Sequence, residues 1–176
     1  MIGRFNLMEE KIILVNKNDI EIGSDYKIKA HKEGKLHRAF SIFIFNSKGE
    51  LLIQKRAKEK YHSGGLWSNS CCGHPEAGEK TIDATNRRLF EEMGIKTPLK
   101  EAFSFIYNVR LDNGIKEYEL DHVFVGFYDG KVVINKEEAE DFKWINIREL
   151  IKDINKNPEK YSYWFRLCFK RVLNYI

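Results

Sequence analysis

Nowhere does this chain approach the run of about 18 apolar residues that a membrane-crossing helix needs. Where a secretory signal peptide needs an apolar stretch, it has Glu9, Glu10 and Lys11. Three cysteines, two of them adjacent, are too few for a disulfide framework, since neighbours rarely bridge and one is left over. Thiols kept free point to a reducing compartment, the cytoplasm. Charge of one sign is also scarce: the net charge is +4, and the densest basic segment, Lys58-Glu59-Lys60, is interrupted by an acid. That is too weak and dispersed to argue for a nucleic-acid partner and is compatible with a small anionic substrate. Repeats, low-complexity tracts and linkers are missing too, so residues 1–176 read as one domain, with a core over about 37–150 and a C-terminal helix over about 158–173. Met8 offers a second candidate start, which would leave a short irregular leader before it.

What is there reads as a mixed α/β (α+β) domain with a β-sheet sandwiched between helices. At 43% hydrophobic and 13% aromatic, 176 residues can bury a proper core. Residues 12–15 form a short apolar strand before the polar turn Asn16-Lys17-Asn18-Asp19. Residues 40–45 and 51–55 flank Asn46-Ser47-Lys48-Gly49 as a hairpin. A loop rich in Gly, Ser, Asn and Pro follows over 58–78, a length that in a compact domain signals function. Residues 79–93 have helical periodicity, with Ile82, Leu89 and Met93 on one stripe, Gly94 as the stop, and Arg87–Glu91 and Arg88–Glu92 pairs four apart. Strands over 101–109 and 117–128 surround a turn at Asp112-Asn113-Gly114. A strand over 142–145 and a helix over 147–154 come next, and Asn157-Pro158 opens a final amphipathic helix to about 173.

Four groups of residues carry chemistry. Gly73, Glu79, Arg87, Glu91, Glu92 and Gly94 are spaced as a loop and helix that offer hard carboxylate oxygens to magnesium on a diphosphate; two adjacent glutamates alone would read as an ordinary surface helix. Glu117 and Glu119 share one face of a strand, roughly 7 Å apart. Val123, Val125 and Phe127 continue that face toward the interior, with Asp121 a lesser candidate of the same parity. Buried carboxylates need a metal, a cation or a raised pKa. His31, His37 and His74 with Glu117 and Glu119 make a five-ligand N3O2 set for a borderline ion such as manganese, iron or zinc. His62 and His122 read as surface or hydrogen-bonded residues, His122 being on the opposite strand face. Cys72 lies on a glycine-rich loop where nearby positive charge would lower its pKa, whereas Cys71 and Cys168 read as structural. A zinc knuckle is disfavoured because no second Cys pair exists.

The Gly73–Ile95 segment resembles the Nudix signature, and the whole pattern resembles the type 1 isopentenyl-diphosphate delta-isomerases, a branch of the Nudix fold. The resemblance runs from about Lys27 to Trp164 and is carried by Ala30-His31, Leu36-His37-Arg38-Ala39-Phe40-Ser41, Trp67-Ser68-Asn69-Ser70-Cys71-Cys72-Gly73-His74-Pro75, and Glu117 and Glu119. Where the Nudix hydrolases have a metal-binding Glu after the signature Arg, this chain has Arg88, which suits binding a metal diphosphate better than hydrolysing one. The resemblance implies that His31, His37, His74, Glu117 and Glu119 ligate one divalent ion, manganese or zinc. It implies that Glu92 helps hold magnesium on the diphosphate, with Lys27, Arg56, Lys60 and Arg88 as counter-charges. Cys72 and Glu119, assisted by Tyr107, would flank the isoprenyl group, and Trp164 would stack over developing charge. The partner would be a small isoprenyl diphosphate, without nucleic acid or membrane, on a monomer or weak homodimer.

Moving a double bond by one carbon needs an acid and a base around an apolar pocket and no redox cofactor. The aromatics Trp67, Tyr107 and Trp164 suit such a pocket. Two rivals remain at this level: a Nudix pyrophosphohydrolase acting on a nucleoside diphosphate derivative, and a non-enzymatic binding module on the same fold.

Overall fold

The structure, a computed structural model, describes residues 10–111 and 114–176. Met8 with its candidate leader, and Asp112 and Asn113 of the expected turn, lie outside those residues. In chain order the strands are β1 (Lys11–Val15), β2 (Glu21–Tyr26), β3 (His37–Phe45), β4 (Glu50–Arg56), β5 (Trp67–Ser68), β6 (Cys71–Gly73), β7 (Leu99–Arg110), β8 (Lys116–Phe127) and β9 (Ala139–Asn146). The helices are α1 (Lys27–Glu33), α2 (Thr81–Met93), α3 (Ile147–Lys156) and α4 (Tyr163–Val172).

Strand β3 organises the sheet because both its faces are apolar. Phe43 and Phe45 face a core closed by Val123 and Val125 of β8, Leu150 of α3, and Phe165 and Phe169 of α4. Phe40, Ile42 and Ile44 face the other way, onto Ala84, Leu89 and Met93 of α2. Helices therefore cover both sides, as for any strand that reads as a continuous hydrophobic run. Strand β8 runs parallel to β3 in register from His37↔Glu119 to Phe45↔Phe127, and β7 pairs antiparallel with β8. The β3–β4 hairpin is bonded only at its turn end, through Ile44↔Leu52 and Phe45↔Leu51. Beyond that the two strands part. Strand β6 takes the freed edge of β3 (Ser41↔Cys72) and β5 takes that of β4 (Gln54↔Ser68).

Several expectations need correction. The 58–78 segment is not loop throughout, since it contains β5 and β6, and Cys72 sits on β6. Neither β2 nor α1 was foreseen. Ile82 is 38% exposed, so the buried stripe of α2 is Ala84, Leu89 and Met93. Phe127 has the right parity but ends β8 at 60% exposure. The final helix is broken: Pro158–Lys160 is a single 3-10 turn, and α4 begins only after Ser162, whose N–H donates to the Trp67 carbonyl at 2.9 Å. Among the described residues, no helix is long and apolar enough to cross a membrane.

Candidate active site

Strand parity and one short helix build the site. His37 opens β3 directly opposite Glu119 of β8. Glu117 lies two residues earlier on the same face, and His74 follows β6. His31 comes from α1, a seven-residue helix without a side-chain N-cap bond. Asp25 anchors the base of α1 through Lys35 at 2.6 Å and Lys29 at 3.3 Å. All five side chains are buried, and their ligand atoms lie within 4.8 Å of one another. His31 and His37 hydrogen-bond through Nδ1 to the Lys27 and Lys35 carbonyls at 2.7 and 2.8 Å. That fixes the proton on Nδ1 and turns each Nε2 lone pair inward, the arrangement a metal-binding imidazole takes.

A divalent ion fits these residues on two counts. His37 Nε2 and His74 Nδ1 are buried without a hydrogen-bond partner, and the Glu117 oxygens face the ring nitrogens of His62 and His31 at 3.0 and 3.3 Å. Unpartnered buried polar atoms are costly unless a ligand satisfies them. The imidazole and carboxylate donor set suits a divalent ion of borderline softness. The charges agree. Burial raises the Glu117 pKa, but hydrogen-bonding pull from His31 and His62 outweighs it and holds the carboxyl well below the usual range. Burial and Glu117 raise that of Glu119, yet His37 and His74 hold it below the usual range. Burial drives the His74 imidazole down to about 4.

Next to this cluster a cleft opens where β3 and β4 part. Cys72, Glu119, Tyr107 and Trp164 line it, together with Lys27, Arg56, Lys60, Arg88 and Glu92. Cys72 and Glu119 stand on the two strands that flank β3, on one face of the sheet. The Tyr107 hydroxyl donates to Glu119 Oε2 at 2.6 Å, and Trp164 Nε1 donates to Asn69 Oδ1 at 3.1 Å, which fixes the indole. The thiol departs from expectation: burial pushes Cys72 up to about 12, against the lowering pull of Arg56, whose Nη1 is 3.6 Å from Sγ. It is therefore a neutral thiol in the free cleft.

Three of the four cations lining the cleft are already matched by acids. Lys27 meets Glu10 at 3.1 Å, Lys60 meets Glu138, and Arg88 meets Glu92 and Glu91 at 2.7 Å each and Glu138 at 3.1 Å. Burial brings Lys60 down to about 8. Glu92 Oε2 also accepts from Gln54 Nε2 at 2.8 Å. Arg56 keeps its buried Nε without a partner. Of the expected aromatics, Trp67 is not a lining residue; Lys143 lies over its ring at 4.5 Å.

All the expected site residues thus come together around the cleft and the cluster beside it. His122 stays apart, as its parity required, bonded to Glu101 and Asp19. Of the two readings offered for His62, the structure excludes surface and leaves hydrogen-bonded: it is 8% exposed, lines the cleft, and places Nε2 3.0 Å from Glu117 Oε1. Its only signal in the sequence was the Gly64-Gly65 pair that follows it in a long loop. Glu10, Gln54 and Asn69 were missed as well, because partners of charged groups leave no periodic trace. Asp121 is buried, its Oδ2 accepting from the Ser41 hydroxyl at 2.8 Å, and burial raises its pKa well above the usual range.

Comparison with known proteins adds three findings. Residues 35–165 match the NUDIX domain family. Isopentenyl-diphosphate Delta-isomerase 2 of Aromatoleum aromaticum is 50% identical, covering 95% of this chain and 88% of that protein, and the Photorhabdus laumondii protein of the same name is 52% identical over 95% and 92%. A crystal structure from Deinococcus radiodurans shares the fold with a TM-score of 0.70 at 20% identity, over 84% of this chain and 90% of that one.

Proposed function

The chain belongs to the Nudix family and, within it, to the isopentenyl-diphosphate Delta-isomerases, and from that premise we propose that Cys72 and Glu119 interconvert isopentenyl and dimethylallyl diphosphate from opposite faces of the isoprenyl group. The observation that carries the assignment of roles is the one cleft lined by the Cys72 thiol, the Tyr107–Glu119 pair and Trp164 together with Arg56, Lys60 and Arg88.

The reaction adds a proton to one terminal carbon of a three-carbon unit and removes one from the other. In the forward direction the Glu119–Tyr107 side donates to the terminal methylene, leaving a tertiary carbocation, and Cys72 as thiolate takes the allylic proton next to the diphosphate-bearing carbon. The free cleft holds the opposite protonation state, a Cys72 thiol and a Glu119 carboxylate, which is the pair that meets dimethylallyl diphosphate. Each forward turnover leaves Cys72 as the thiol and Glu119 as the carboxylate, and loss of the thiol proton to solvent with uptake of one from solvent on the Glu119–Tyr107 side restores the starting pair.

The carbocation is exposed to the Trp164 ring, held in place by Asn69. Cation–π attraction contributes on the order of 0.5–2 kcal/mol, well below the roughly 8–23 kcal/mol that enzymes supply. Positioning by the anchored diphosphate and the fixed charges around it supplies most of the rest. Arg56, Lys60, Arg88 and Lys27 would bind the diphosphate, and Glu92 would help hold magnesium on it, the ion supplying further positive charge against the diphosphate oxygens. A manganese or zinc ion on His31, His37, His74, Glu117 and Glu119 would supply fixed positive charge that holds both carboxylates in place.

Incubation with magnesium and each substrate tests this reading. Isopentenyl diphosphate is expected to convert to dimethylallyl diphosphate without phosphate release. Release of phosphate or a nucleoside monophosphate from nucleoside diphosphate derivatives, with isopentenyl diphosphate unchanged, would overturn it in favour of a pyrophosphohydrolase.

A further inference from the structure

We propose that His62 is a positioning residue for Glu117, holding Oε1 with its Nε2–H so that Oε2 faces the three imidazoles of the metal cluster. The inference rests on the reading of that cluster as a divalent site. His62 lies outside the five-residue set whose donor atoms converge. Yet its Nε2 stands 3.0 Å from Glu117 Oε1, closer than His31 Nε2 stands to Oε2, at 3.3 Å. The two nitrogens differ in kind. His31 commits its Nδ1 proton to the Lys27 carbonyl, so its Nε2 is a lone pair for a metal. The Ser63 hydroxyl, 3.4 Å from His62 Nδ1, can donate to that nitrogen, and the tautomer that accepts it carries its proton on Nε2, toward Glu117.

The loop is built to deliver this ring. Ser63 adopts φ +51°, a left-handed conformation that a side chain of its type rarely takes. A Cβ on Gly64 would lie 2.4 Å from the Lys58 carbonyl oxygen, so the chain passes there only as glycine. Arg56 closes the turn by backbone bonds to Leu66 and Gly65, each 2.9 Å, and its Nη2 donates to the His62 carbonyl at 3.3 Å. The ring is then fixed edge-on between Tyr61, at 4.2 Å between centroids, and Trp164, at 5.6 Å. Backbone strain held in place by its surroundings collects at functional positions, and here the held group touches a metal-binding carboxylate.

Partners of metal-binding side chains typically change metal affinity by about 10–100-fold when lost. The test is zinc affinity of the whole chain, measured without substrate by competition with a chromophoric chelator. Wild type is expected to bind one ion. His62→Phe, which keeps an aromatic edge against Trp164, is expected to weaken binding at least about tenfold, and His62→Gln, which keeps an N–H near the Nε2 position, to stay within about threefold of wild type. Equal affinity of wild type and His62→Phe overturns the inference, as does an equal loss in the Phe and Gln variants, which would report loop damage. If wild type binds no zinc, or His37→Ala binds as tightly as wild type, the metal centre itself falls and the inference with it.

Discussion

At the residue scale, Cys72 and Glu119 are separate chemical groups and their losses differ. Cys72→Ala is expected to lower kcat by about 10²–10⁴-fold while isothermal titration still detects diphosphate binding, since the substitution leaves Lys27, Arg56, Lys60 and Arg88 in place around the cleft. Glu119→Gln is expected to lose turnover to a similar extent and to weaken zinc binding as well, because Glu119 belongs to the metal cluster. Full activity in either variant would remove that residue from the chemistry. The residues with distinctive chemistry were legible in the sequence: strand parity placed Glu117 beside Glu119, and the Cys72-Gly73-His74 run placed thiol and imidazole together. The thiol's protonation was not, because the sequence shows a nearby arginine but not the burial that outweighs it. His62 was hidden for the same reason, its direction being set by loop geometry rather than by any period.

At the element scale, α1 carries two site residues on only seven positions, and ion pairs from Asp25 add to the burial of Ala30 and His31 in holding it on the sheet. The hydrogen bond from Lys35 depresses the Asp25 pKa to about 2, helped by the Tyr26 N–H and Lys29. A carboxyl depressed in the folded state stabilises above its unfolded pKa, near 3.9, and that stabilisation is lost as pH falls through about 2. The difference in Tm between wild type and Asp25→Asn is therefore expected to be constant from pH 7 to about 5 and to shrink steadily between about pH 4 and 2. A difference unchanged at pH 2 would mean that the ion pairs do not anchor the helix. Helix α1 escaped the sequence reading because it is short, polar on most of its surface and without a side-chain N-cap. Helix α2, with its Gly94 stop and arginine–glutamate pairs, was plain. Strands β5 and β6 were invisible for a different reason: they are too short to show alternation, and they exist only because β3 and β4 part and leave edges to fill.

At the scale of the molecule, two cores on either side of β3 hold the splayed strands apart, and the site depends on that separation. Phe165 is fully buried and packs on Phe43, Tyr161 and Phe169, with ring centroids 5.4–6.0 Å away. Phe165→Ala is expected to cost about 3–5 kcal/mol in urea unfolding; a loss under about 1 kcal/mol would show that the α4 face is not a stability element. Removing the metal acts on the whole fold as well. Chelation is expected to lower Tm, and zinc restored to about 100 times its Kd to return about 2.7 kcal/mol; an unchanged Tm would argue against an ion bridging α1, β3 and β8. The most direct measurement is isomerisation of isopentenyl diphosphate in deuterium oxide, followed by NMR and mass analysis of the product. With Glu119–Tyr107 on one face of the hydrocarbon and Cys72 on the other, the dimethylallyl product carries solvent deuterium in one methyl group. Product formed at full rate with no solvent deuterium would mean that a single group carries the same proton from carbon to carbon, and the two-sided mechanism would be wrong.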